Sequence, residues 1–164
     1  MRLFALLLAA CLSVWGADTA LLTLADGDQK PIVIKKEALE SLPATILTDL
    51  PMVCASGAQK APPATYKGVK LSRLLKFLNL EAHPHREQNR MAVMVRGSDG
   101  YSVLFGYRDL TNTKEGESVI VVYEKDGNAL DEREGPIALI SGSDLITGPR
   151  HVRQAVRIDA LVIP

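Results

Sequence analysis

The clearest helical period in this chain is short. Leu71, Leu74, Leu75 and Leu78 fall at i, i+3, i+4 and i+7, while Lys70, Arg73 and Lys76 occupy the other face. One short amphipathic helix cannot enclose the core of a 164-residue chain, so most of the buried surface must come from strands. The remaining sequence supplies them as short apolar runs bounded by turn residues.

Ala20–Ala25 and Pro31–Lys35 read as strands around the turn Asp26-Gly27-Asp28, and Lys36–Leu42 as a helical turn stopped by Pro43. Thr45–Ser56 reads as a strand and Gly57 to Pro63 as a loop. Met91–Arg96 and Tyr101–Phe105 flank Gly97-Ser98-Asp99-Gly100, the pattern of a hairpin. Val119–Tyr123 is continuously apolar, which predicts a central strand buried on both faces. Lys125-Asp126-Gly127-Asn128 turns the chain before a short strand at Pro136–Ile140. The Gly/Ser/Pro-rich loop Ser141–Pro149 then leads into a closing strand, Val156-x-Ile158-x-Ala160-x-Val162, with alternating apolar positions. The expectation is a single α+β domain, mainly β, from about Asp18 to Pro164.

Composition narrows the function classes. Lys+Arg and Asp+Glu balance at 19 each and no basic block stands out, which argues against a nucleic-acid partner. With 47% hydrophobic residues the chain is too apolar for a disordered one, and no apolar run reaches the ~18 residues of a membrane span.

The N-terminus carries Arg2, an apolar stretch Leu3–Leu12 and the small-residue pattern Val14-x-Gly16. That is the layout of a secretory signal peptide over residues 1–16, cleaved after Gly16 or Ala17. Leu8-Ala9-Ala10-Cys11 also resembles a bacterial lipobox, which would anchor the chain through Cys11. Both readings place the mature protein outside the cytoplasm, periplasmic or secreted. Removing the segment leaves one cysteine, Cys54, so no internal disulfide can form.

Four features compete as chemistry. Cys54 is either a small buried hydrophobe among Met52, Val53 and Ala55 or a thiolate ligand for a soft metal. Arg150, His151, Arg153 and Arg157 follow a Gly/Pro loop; they suit a bound anion, or else guard a strand edge. Ser98-Asp99-Gly100-Tyr101 is first a turn, and otherwise a carboxylate and a phenol at a loop tip. His83-Pro84-His85 offers two imidazoles with no third ligand nearby, short of an ordinary metal site.

The order of the segments adds a resemblance. Ala64-Thr65-Tyr66-Lys67-Gly68-Val69-Lys70-Leu71-Ser72-Arg73-Leu74-Leu75 resembles the "Y-x-G-V-x-L-x-x-L-L" segment of the oxidoreductase molybdopterin-binding domain family, the sulfite oxidase fold. Gly97-Ser98-Asp99-Gly100-Tyr101 is similar to its "DGY" strand pair. Asp126-Gly127-Asn128-Ala129-Leu130 followed by Gly135-Pro136-Ile137 is similar to its "DG-x-P-L … G-P" segment, and Arg150–Ile158 to its closing "R-x-V-(K/R)-x-V-x-x-I". The resemblance runs over about residues 20–164. It implies a sulfite oxidase-like molybdopterin-binding fold and an oxidoreductase transferring oxygen atoms or electrons at molybdenum. Cys54 would be the metal ligand, and Arg150, His151 and Arg153 would hold the pterin phosphate. The alternative is a cofactor-free module on the same scaffold that binds a small anion or a partner, such as a membrane redox or sensor protein.

Overall fold

The computed structural model describes residues 21–164; the signal peptide and Cys11 readings lie outside the described residues. The chain opens with β1 (Leu22–Asp26), β2 (Ile32–Ile34), α1 (Lys36–Glu40), β3 (Thr45–Val53) and β4 (Gln59–Lys70). α2 (Leu71–Leu75) runs into a 3-10 turn at Lys76–Leu78, and α3 (His85–Gln88) precedes β5 (Met91–Gly97), β6 (Ser102–Gly106) and α4 (Tyr107–Asn112). β7 (Val119–Lys125), β8 (Asn128–Ala129) and β9 (Ala138–Ser141) follow. A 3-10 turn at Gly148–Arg150 then leads to β10 (Ala155–Val162).

Two sheets form among the described residues. One has the order β2-β1-β10-β5-β6; the other has β3-β4-β7-β8, with β9 also paired to β7. β1 and β10 pair in parallel, which brings the two ends of the described chain together in the middle of the first sheet. The result is one mostly sheet domain with short helices.

The principal core lies between the sheets. Leu24, Val93, Val95 and Ile158 of the first sheet meet Val69, Val121 and Leu139 of the second, closed by Leu71, Leu74, Leu75 and Leu78. A second cluster on the far face of the second sheet holds Leu50, Tyr66, Ile120, Val122 and Ile140. β7 contributes to both clusters, as its unbroken apolar run requires. Among the described residues no helix is long and apolar enough to cross a membrane.

Two local expectations are corrected. The expected loop from Gly57 to Pro63 is mostly strand, because β4 begins at Gln59. Pro62 and Pro63 are tolerated there because β7 pairs only with Tyr66–Lys70 on one side, and on the other the β3 ladder shifts register between its Ala61 and Ala64 pairs. The amphipathic segment is also not one regular helix: five α-helical residues tighten into a 3-10 turn that ends at Asn79 in the left-handed region. The leucine face is buried all the same.

Candidate functional site

Cys54 follows the last residue of β3 in a tight reversal. Its N–H donates to the Ala58 carbonyl at 3.0 Å, and its own carbonyl accepts from Gly57 N–H at 2.8 Å. Gly57 sits at φ 81°, a conformation that favours glycine. Ala55, Ser56, Gly57 and Ala58 are too small to cover the thiol, which is half-buried with its Sγ 2.9 Å from the Ser56 hydroxyl.

The loop that follows β9 packs directly against this reversal. A Cβ at Gly148 would lie 2.7 Å from the Val53 carbonyl oxygen and 3.1 Å from Cys54 Cα, so only glycine permits the approach. Thr147, 1% exposed, donates its hydroxyl to the Pro51 carbonyl at 2.8 Å and accepts the Val53 N–H. His151 N–H donates to the Gly148 carbonyl at 3.0 Å, completing the turn.

The β5–β6 hairpin supplies a third wall. Asp99 Oδ1 accepts the Tyr101 N–H at 2.9 Å, and the Tyr101 hydroxyl donates to the Pro149 carbonyl at 2.6 Å. Gln154, at φ 44°, joins this hairpin to the segment before β9. Its side chain accepts from the Ser98 hydroxyl at 2.6 Å and donates to the Glu132 carbonyl at 2.8 Å. Arg133 and Arg153 are thereby held on the same side.

These segments enclose a cavity of about 690 Å³, lined by Cys54, Tyr101, Arg133, His151 and Arg153, with the Asp99 carboxylate also present. Neither Arg133 nor Arg153 has a carboxylate partner for its side chain among the described residues. His151 is buried, and its Nε2 has no hydrogen-bond partner. Burial first, and then the positive charges of Arg153 and Lys125, pull its pKa down to about 4, so the imidazole is neutral at ordinary pH. A thiol, a neutral imidazole, two guanidiniums and one carboxylate thus share one recess, which leaves a net positive charge.

Of the residues singled out in the sequence, Cys54, His151 and Arg153 come together here. Arg150 does not line the cavity. Its guanidinium forms a two-pronged pair with Asp144, reaches Ser141 Oγ at 3.3 Å and stacks 4.7 Å from the Phe105 ring centre. The Asp144 hydrogen bond raises its pKa further. Arg157 is likewise held by Asp159. His83 is engaged by Asp26 at 2.8 Å and Glu87 at 3.1 Å, and no cluster of three potential metal ligands occurs among the described residues. Asp99 and Tyr101 are turn residues and cavity residues at once. Arg133 had no sequence signal: it belongs to a charged loop that Asp131 closes through the Arg133 and Glu134 N–H groups and that Gln154 ties to the hairpin.

The donor set suits an anionic group that carries a soft metal. The thiol is a soft ligand, and the guanidiniums match phosphate oxygens.

No family model matches the sequence, and no curated protein matches it. Among solved structures, the crystal structure of the sulfane dehydrogenase SoxCD from Paracoccus pantotrophus aligns with a TM-score of 0.66 and 20% identity. The alignment covers 87% of this chain and 38% of that chain. At that identity the shared property is the fold.

Proposed function

We propose that this chain is a molybdopterin-binding-domain protein of the oxidoreductase class, exported from the cytoplasm, with the Cys54 cavity as its cofactor site. The observation that carries the reading is the convergence of Cys54, His151, Arg153 and Arg133 on one recess. The fold shared with a sulfane dehydrogenase and the order of the sequence segments support it. The sulfite oxidase-like assignment of the fold belongs to the same proposal.

In this reading Cys54 Sγ would ligate the metal, and the Arg153 and Arg133 guanidiniums would hold the pterin phosphate beside neutral His151. Arg150 then acts as a brace, fixing the loop that presents His151 through its pair with Asp144. When bound, molybdopterin supplies oxygen-atom or electron transfer, and the protein's share is binding and orientation. The physiological partner would be a membrane redox or sensor protein facing the same compartment.

The contact between Cys54 Sγ and the Ser56 hydroxyl favours a second reading, a cofactor-free module. It shows that the thiol has a partner within its own turn, and the guanidiniums alone suffice to bind a small anion.

Release of the bound material separates the two. Protein isolated from a host that makes molybdopterin is denatured and oxidised, and the supernatant is examined for pterin fluorescence. The first reading expects pterin from the unaltered chain and a strong reduction from Arg153→Gln. Pterin-free protein favours the second. Intact-mass measurement of the exported chain tests the compartment: a start at Ala17 or Asp18 supports cleavage, and a lipid mass on Cys11 supports anchoring.

A further inference from the structure

A second cavity, of about 440 Å³, lies beside α2 and shares no lining residue with the Cys54 recess. Lys70, Arg73 and Lys76 recur every third residue across α2 and its 3-10 extension, so they project from one side, and all three line the cavity. Lys70 is neutralised by an ion pair with Glu117. Arg73 and Lys76 have no carboxylate partner among the described residues.

The opposite wall is Tyr107, the first residue of α4. Tyr107 is 5% exposed, and its hydroxyl makes no hydrogen bond among the described residues. The ring is packed away while the hydroxyl keeps an accessible surface at the cavity wall, so it is available to donate to a ligand. Burial first, and then the neighbouring Glu81 carboxylate, raises its pKa, so it stays a neutral donor across the ordinary pH range. Glu81 also lines the cavity and provides an acceptor. With Lys70 set against Glu117 and one cation set against Glu81, one positive charge remains uncompensated.

From this arrangement we infer that the α2 cavity is a binding site for a small hydroxylated organic anion. Its oxyanion is held by Arg73 and Lys76, a second ligand oxygen accepts from the Tyr107 hydroxyl, and a ligand hydroxyl donates to Glu81. A guanidinium and an ammonium on one side, with a phenol and a carboxylate on the other, match a molecule of the size of a polyol phosphate or a sugar acid. The site is independent of the molybdopterin reading.

The test is amide chemical-shift titration of the full chain with glycerol 3-phosphate and with gluconate, using glycerol and sodium chloride as controls. At least one organic anion should give saturable shifts centred on Arg73, Lys76, Asn79 and Tyr107, absent with either control. Arg73→Gln with Lys76→Gln, both at exposed positions, should weaken binding at least tenfold, and Tyr107→Phe several-fold. Cys54→Ser should leave the titration unchanged, which keeps this result separate from the fate of the other cavity. The inference is overturned if neither anion saturates by tens of millimolar, or if the double variant binds as the unaltered chain does. It is also overturned if sodium chloride reproduces the shifts.

Discussion

Val53 donates its amide N–H to the Thr147 hydroxyl at 2.9 Å, joining two residues 94 positions apart. The same hydroxyl donates to the Pro51 carbonyl, so one side chain ties the strand leading to Cys54 to the loop leading to His151. Neither segment forms the recess alone. Thr147→Val keeps the shape but leaves the Val53 N–H and the Pro51 carbonyl without that partner, at a cost of about 1–3 kcal/mol. A urea midpoint should report that loss. An unchanged midpoint would mean that the two segments are held together by other contacts.

The leucine face of α2 makes a larger contribution. Leu75 is 2% exposed within the main core. Leu75→Ala should destabilise the domain by about 2–5 kcal/mol, the transfer loss plus the cavity left behind. Equilibrium denaturation measures it, and a cost well under ~1 kcal/mol would remove α2 from the core described here.

The two buried or paired histidines predict opposite pH effects. His83 lies between Asp26 and Glu87, whose hydrogen bonds raise its pKa above the ordinary 6.5. Its stabilising contribution is therefore complete below about 6.5 and is lost as pH rises through the higher folded value. His151 has the reverse sign, because its folded pKa is near 4 while the unfolded chain takes up the proton near 6.5. Stability is lost as pH falls across that window, by roughly 3 kcal/mol in total. Urea midpoints measured from pH 4 to 8 should show a shallower acid limb in His151→Gln and a weaker decline above neutrality in His83→Gln. Unaltered limbs would contradict the respective environments.

These titrations depend on contacts that the sequence discloses unevenly. The unbroken apolar run of β7 was legible, and so were the core positions Ile158 and Ala160 of β10. The expected alternation fails at Val156, which a register shift beside it leaves 40% exposed, and at Asp159, which is buried. Asp126-Gly127 was legible as a turn because both residues adopt positive φ, at 50° and 78°. The first half of β4 was hidden by Pro62 and Pro63, which suggest a loop unless one knows that β7 stops short of them. In the site, Cys54 and the basic segment could be picked out by residue type, but the division of labour between Arg150 and Arg153 could not. That division is set by Asp144, six residues before Arg150, whose carboxylate takes up one guanidinium and leaves the other to the cavity. Arg133 was invisible for a related reason: a loop cation becomes a site residue only through the tertiary contact that places it.

Molybdenum content decides the central proposal most directly. The chain is purified from a host that makes molybdopterin and loads other molybdenum enzymes, alongside Cys54→Ser, and metal is determined per mole of protein. Near-stoichiometric molybdenum in the unaltered chain, with most of it lost from Cys54→Ser, is the predicted result, since a hydroxyl is a poorer ligand for a soft centre. Background molybdenum in folded, unaltered protein would contradict the proposal and leave the cavity as a site for another anion.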